Sequence, residues 1–94
     1  MIINGKDYKV SDLDFNTVCK LEEKGINLNE INQKPFLVVR GFLAVIMDTD
    51  VDTAGKELSQ HIINGGDFDE LAVQISDLVE KSDFFQALSK QNTN

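Results

Sequence analysis

Residues 35–47 read Pro-Phe-Leu-Val-Val-Arg-Gly-Phe-Leu-Ala-Val-Ile-Met, and eleven of these thirteen residues are hydrophobic or proline. A proline suits the first turn of a helix, where its missing N–H is no loss. The stretch therefore predicts a central helix that is apolar on nearly every side. Such a helix must be covered by other elements or dock on another protein. It is too short to span a bilayer, which needs roughly 20 residues.

The residues before this helix predict a β-hairpin and one further helix. Asn4-Gly5 is a dipeptide that accepts the positive φ angles of a tight hairpin turn. Asp12 or Asp14 then caps a helix over residues 15–24, which Gly25 ends. The expected strand side chains are Ile2, Ile3, Tyr8 and Val10, and the expected inner stripe of the helix is Phe15, Val18, Cys19 and Leu21.

Glu22 falls inside the apolar arc of that helix, which is an unusual place for a carboxylate. In one interpretation it is an edge residue that reaches water or a nearby cation. In the other it forms a structural ion pair with Arg40, the only charge inside the central helix.

A short helical turn is predicted within residues 26–34, before the central helix. After the central helix, the sequence predicts three further helices. The first covers residues 51–63 and ends at Asn64-Gly65-Gly66. Asp67 caps the second, whose apolar residues follow helical spacing, and Ser82 or Asp83 caps the third over residues 84–90. The sequence thus predicts a mostly α fold in which a hairpin and four to five helices pack around residues 35–47. Residues 1–90 form one domain in this interpretation, and 91–94 a frayed polar tail.

Charge and composition narrow the function classes. The chain has 94 residues, with 16 acidic against 9 basic residues and a net charge of −7. This balance disfavours nucleic acid and anionic membranes as partners and favours basic proteins. The single cysteine excludes an internal disulfide framework, and the first residues lack a signal-peptide pattern, so a cytoplasmic location is expected.

No catalytic, cofactor or metal site is predicted. His61 is the only histidine and has no cysteine or second histidine at ligand spacing. Asp48, Asp50 and Asp52 alternate as in a calcium loop, but Thr53 stands where glycine is needed and Ser59 where glutamate is needed. These aspartates are instead interpreted as a turn and a helix cap. The chain is therefore predicted to be no enzyme and to have no small-molecule substrate.

The candidate protein-contact residues lie toward the C-terminus. Phe84 and Phe85 are adjacent and cannot share one helix face, so either both pack in the core or one is an exposed anchor for a partner. Leu88 belongs to the same apolar set. Glu70 and Asp77 lie on the acidic outer face of the helix that begins after Asp67, which is either a solvated surface or a docking face for a basic partner.

The order of these features resembles the tail assembly chaperones of long-tailed (siphovirus-type) bacteriophages and prophages of low-GC Gram-positive bacteria. The similar stretches are Ile3-Asn4-Gly5-Lys6-Asp7-Tyr8, Leu21-Glu22-Glu23-Lys24-Gly25-Ile26, Met47-Asp48-Thr49-Asp50, Ala54-Gly55, His61-Ile62-Ile63-Asn64-Gly65-Gly66 and Phe84-Phe85-Gln86-Ala87-Leu88. Together they span almost the whole chain. They are caps and core positions, so they identify a family more than a chemistry.

The resemblance implies a non-enzymatic protein of the bacterial host cytoplasm that is absent from the mature virion. Its partners would be the long, aggregation-prone tape measure protein and the tail tube protein, which polymerises around it. Members of this family are often also made as a longer product by ribosomal frameshifting. Self-association is a further expectation, because many copies would be needed along one client.

Two other function classes stay open at this point. An acidic decoy protein that mimics nucleic acid and inhibits a basic partner would suit the net charge of −7 and predicts carboxylates in a regular surface row. A small enzyme would require a pocket with clustered carboxylates or His61, which the spacing of these residues does not suggest.

Overall fold

The computed structural model describes residues 1–10 and 13–91. A hairpin precedes five α-helices in this part of the chain, with a 3₁₀ turn at Leu28–Glu30 between the first two helices. The strands are β1 (Ile2–Ile3) and β2 (Lys6–Asp7), and the helices are α1 (Phe15–Glu23), α2 (Pro35–Ile46), α3 (Val51–Ile63), α4 (Phe68–Lys81) and α5 (Asp83–Gln91). The predicted mostly α fold with an N-terminal hairpin is confirmed.

The hairpin turns at Asn4-Gly5 as predicted. Both residues have positive φ angles, 51° and 80°, which match the twist of the paired strands. The strands are antiparallel, with Ile3 opposite Lys6, and are shorter than predicted because Tyr8 and Val10 lie beyond β2. Ile3 is fully buried against the helices, so the hairpin belongs to the core.

Polar contacts fasten the tip of the hairpin to α3. The Asn4 backbone N–H donates to Nδ1 of His61 at 2.9 Å, and the Asn4 side-chain amide donates to Glu57 at 3.0 Å. Asn64 in turn donates to the Asn4 side-chain oxygen at 3.3 Å. The role of His61 in these contacts is structural: its Nδ1 accepts a backbone hydrogen bond.

The helices begin and end at the signals that the sequence provides. Asp14 accepts the Thr17 N–H, Asp50 the Thr53 N–H, and Asp67 the N–H groups of two residues in the first turn of α4. For α5 the cap is Ser82, whose hydroxyl accepts the Phe85 N–H at 3.3 Å. The alternative cap Asp12 lies outside the described residues. Gly25 and Gly65 follow α1 and α3 with positive φ angles of 73° and 98°.

The cap at Asp50 is expected to make the stability of the protein depend on pH in the acid range. Accepting the Thr53 N–H lowers the pKa of Asp50, and the positive charge of Lys24 adds to this effect. A carboxyl whose pKa is depressed by folding stabilises the protein above its unfolded pKa of about 3.9, and this contribution is lost as the pH falls through the folded value. Asp50→Asn keeps the accepting oxygen but does not titrate, so we expect its melting temperature to fall less steeply than wild type below about pH 4.

Thermal melts of wild type, Asp50→Asn and Asp50→Ala at neutral and acidic pH measure this effect. Asp50→Ala is the control, because it loses the accepted hydrogen bond and is expected to be less stable at neutral pH. Parallel acid profiles of Asp50→Asn and wild type would show that this carboxylate contributes nothing to the acid transition.

Helix α2 supplies the centre of the core, as predicted. It packs against α1, α3 and α4. Its buried residues are Val38, Val39, Gly41, Phe42, Leu43 and Ala44, and the surrounding elements add Ile3, Leu21, Ile26, Ala54, Leu58, Leu71 and Ile75.

Some residues expected inside lie at the surface. Phe15 is 67% exposed and packs in a T-shaped arrangement with Phe84, with ring centroids 6.1 Å apart, because α5 rather than α2 is its neighbour. Phe36 and Leu37, in the first turn of α2, are 72% and 47% exposed. Ile62 of α3, which helical spacing places on the same side as Ala54 and Leu58, is also exposed. The central helix is therefore covered along most of its length but not at its beginning.

At the C-terminus, α5 extends to Gln91, the first residue of the predicted tail, and residues 92–94 lie outside the described residues. Across residues 1–10 and 13–91, none of the helices has the length and apolar character needed to cross a membrane.

Candidate functional site

An apolar groove lies between α1 and α5 and has a volume of about 460 Å³. We call it the α1–α5 groove. Its lining residues are Val18, Leu21, Glu22, Ile26, Asn27, Leu28, Asn29, Phe85 and Leu88.

The groove exists because α5 is held over α1 mainly at its beginning. The Ser82 hydroxyl donates to the Leu13 carbonyl at 3.2 Å and so ties the start of α5 to the segment before α1. Phe84 contacts Phe15 of α1 and also lies edge-on to Phe85, with ring centroids 5.4 Å apart. Beyond these contacts the facing surfaces of α1 and α5 leave an open space, which the 3₁₀ turn closes at one side.

The lining of the α1–α5 groove suits apolar side chains of a protein partner. Six of its nine lining residues are apolar, and Glu22 is the only ionisable one. Two of the predicted contact residues, Phe85 and Leu88, line the groove, and Phe84 is half-buried beside it. The sequence left open whether both phenylalanines pack in the core or one is an exposed anchor. Phe84 and Phe85 are both half-buried, which is intermediate between these alternatives.

The predicted acidic contact residues lie elsewhere. Glu70 and Asp77 are exposed on α4. Glu70 lines a different cavity of about 420 Å³, together with His61 and residues of the hairpin. The structure therefore does not bring the acidic candidates to Phe85 and Leu88, and a role for Glu70 and Asp77 in binding stays a prediction.

A second groove lies between α2 and α3 and has a volume of about 550 Å³. We call it the α2–α3 groove. Its lining residues are Phe36, Leu37, Arg40, Val51, Asp52, Gly55, Lys56, Leu58, Ser59, Ile62 and Phe68. The sequence did not predict this surface, because the hairpin and the other helices were expected to pack around residues 35–47. One available signal was the pair Ile62 and Ile63, since adjacent residues of a helix cannot both face the core.

Arg40 lies in this groove and not beside Glu22, so the predicted ion pair between them is wrong. The ion pairs among the described residues join the Met1 amino group to Asp7 and Lys34 to Glu30. Glu22 is exposed at the rim of the α1–α5 groove. A Cβ added to Gly55 would lie 3.3 Å from Cδ of Arg40, so the Arg40 stem crosses α3 at the one position without a side chain.

The guanidinium group of Arg40 has an unusual environment. Its Nε atom is buried and has no hydrogen-bond partner in the structure, and a buried donor left unpaired costs about 1–3 kcal/mol. The two Nη atoms are not buried without a partner, and they form no hydrogen bond to described residues, so they reach the surface. The side chain is therefore held in place by its stem while its end remains available.

Within residues 1–10 and 13–91, no group of three or more His, Cys, Asp and Glu side chains is arranged to hold a metal ion. The Nδ1 atom of His61 is already occupied by the Asn4 N–H. Among the described residues, the features that stand out are thus the two apolar grooves.

Comparison of the chain with protein-family models, with curated proteins and with solved structures found no match.

Proposed function

We propose that this chain is a non-enzymatic tail assembly chaperone of a long-tailed phage or prophage, which binds the tape measure protein in the host cytoplasm and assists tail tube polymerisation around it. The α1–α5 groove carries the proposal, because Phe85 and Leu88 line an apolar surface large enough for partner side chains. The order of motifs along the chain, which resembles that of this family, also supports the proposal.

The physical properties of the chain suit such a role. A tape measure protein is a long helical chain that must stay unaggregated until tube subunits cover it. Apolar grooves can take up side chains from one face of a client helix. Because each copy carries a net charge of −7, chaperone molecules and their complexes with the client repel one another. Contacts through half-buried residues permit release when tube subunits compete.

Co-expression with the tape measure protein encoded by the neighbouring gene tests this proposal. We expect the soluble fraction of the client to rise several-fold in the presence of the wild-type chain. The double variant Phe85→Ala and Leu88→Ala should lose most of this gain, because it removes the apolar wall that α5 contributes to the groove. Val73→Ala is the matched control, since Val73 is exposed on α4 and lines neither groove.

Absence of any gain in client solubility with the wild-type chain would contradict the chaperone proposal. An equal gain with the double variant would leave the chaperone activity standing but would remove the α1–α5 groove as its site. Melting temperatures of each variant show whether a loss of activity reflects binding or folding.

The acidic decoy remains the alternative and has less support. The exposed carboxylates of α4 belong to Asp69, Glu70, Asp77 and Glu80. Val73, which is 58% exposed, interrupts them on the helix surface, whereas a phosphate backbone carries charge at regular intervals. A decoy would bind a basic enzyme with an affinity that falls steeply with salt.

A further inference from the structure

We propose that the α2–α3 groove binds an amphipathic helix of another protein, and that a carboxylate on the apolar face of that helix pairs with Arg40. This inference does not rest on the proposed function, because it concerns a different groove and a partner defined by its chemistry alone.

The apolar part of the groove indicates a helix as the occupant. Phe36, Leu37 and Ile62 are large hydrophobic residues that remain exposed along one continuous groove. Lining positions on α3 run from Val51 to Ile62, which at 1.5 Å per residue is about 17 Å. A surface of this length and composition matches the apolar stripe of a helix of several turns.

The charges in the groove indicate what that stripe must carry. Arg40 and Lys56 are the cations among the lining residues, and neither forms an ion pair with a described residue. Asp52 is the only carboxylate in the lining, so the groove has an excess of positive charge in a chain whose net charge is −7. An incoming carboxylate meets unpaired donors here.

The geometry of Arg40 makes it the partner of that carboxylate. Its stem is held against α3 at Gly55, so little side-chain freedom is lost when a ligand binds. Its surface-reaching Nη atoms can donate two parallel hydrogen bonds to one carboxylate. Self-association is an expectation from the sequence, but the charge of −7 on each copy opposes it, so a second copy is a poorer occupant of this groove than a different protein.

Two synthetic helical peptides of about 13 residues test the proposal, since α2 and α3, which form the groove, have 12 and 13 residues. Both present leucines along one face and uncharged residues elsewhere, and they differ only by Glu or Gln at the centre of the leucine face. Fluorescence anisotropy with the full chain measures their affinities, and amide chemical shifts locate the binding surface. We expect the Glu peptide to bind about 10-fold more tightly than the Gln peptide and to shift the amides of Phe36, Leu37 and Ile62.

Variants separate the charge from the apolar contact. Arg40→Gln should abolish the preference for the Glu peptide, and Arg40→Lys should keep part of it. Phe36→Ala should weaken both peptides equally. Phe85→Ala, in the other groove, should change neither affinity. If Arg40→Gln does not fold, the comparison of the two peptides on the wild-type chain still decides the question.

Equal affinities for the two peptides, absence of binding, or shifts confined to the α1–α5 groove would overturn the proposal. So would concentration-dependent sedimentation of the wild-type chain alone that Arg40→Gln abolishes, because it would assign the groove to a second copy of this chain. None of these outcomes bears on the solubility of a tape measure protein, so this inference and the proposed function can fail separately.

Discussion

Phe42→Ala is expected to lower the free energy of unfolding by about 3–5 kcal/mol. Phe42 is 1% exposed and is among the largest fully buried side chains of the described residues. It lies in the buried part of α2, which packs against α1, α3 and α4. Alanine would leave a cavity there that the surrounding backbone cannot close. Because domains of this size are stable by about 5–15 kcal/mol, such a loss brings the protein close to unfolding at moderate temperature.

Phe36→Ala provides the matched control within the same helix. Both substitutions exchange phenylalanine for alanine in α2, but Phe36 is 72% exposed and contacts Phe68 with ring centroids 4.8 Å apart. We expect a loss of no more than about 1 kcal/mol, since alanine is also the better helix former. Urea unfolding with a fitted slope for each variant measures both changes. Similar losses for the two variants would contradict the division of α2 into an uncovered beginning and a buried remainder.

The sequence allowed two alternatives for residues 35–47, which were coverage by other elements of the chain and docking on another protein. From Val38 onward the helix is covered by other elements of the chain, and this part supplies the core. Phe36 and Leu37 precede that part and remain at the surface, in the α2–α3 groove. The covered part of the helix thus supplies the core, and its exposed first turn is the part at which we propose that a partner docks.

The sequence predicted best those features that depend on neighbouring residues. Asn4-Gly5 fixes the hairpin because few other residues accept its φ angles. Asp14, Asp50 and Asp67 mark helix starts because an aspartate side chain satisfies free N–H groups in the first turn. Gly65 marks a helix end for the same local reason. These signals need no knowledge of the tertiary structure.

Features that depend on contacts between distant elements could not be predicted in the same way. Helical spacing places Phe15 on the apolar side of α1 but does not show that α5, about seventy residues later, becomes its neighbour. Arg40 and Glu22 had complementary charge, yet the absence of a side chain at Gly55 directs the Arg40 stem toward α3. Both grooves arise from such placements, so only single residues of them, Phe85 and Leu88 among them, were identified beforehand.

Ile26 lies so close to Gly41 that a side chain at position 41 is expected to destabilise the protein strongly. A Cβ on Gly41 would lie 2.2 Å from Cγ1 and 2.6 Å from Cδ1 of Ile26, far inside contact distance. Both residues are buried, so the isoleucine has no free space to move into. Gly41→Val should therefore lower the free energy of unfolding by about 2–3 kcal/mol, although glycine itself is a poor helix former. Gly41→Ala should lose less, because its gain in helix propensity of about 1 kcal/mol offsets part of the strain.

A double-mutant cycle with Ile26→Ala shows whether the contact itself is responsible. Alone, Ile26→Ala should cost about 2–4 kcal/mol through the cavity that it leaves. In the Gly41→Ala background it should cost clearly less, because the new methyl group occupies part of that cavity and the clash disappears. We expect a coupling of at least about 1 kcal/mol by urea unfolding. Additive losses would mean that the segment carrying Ile26 moves away from α2 at little cost, and that segment also forms one wall of the α1–α5 groove.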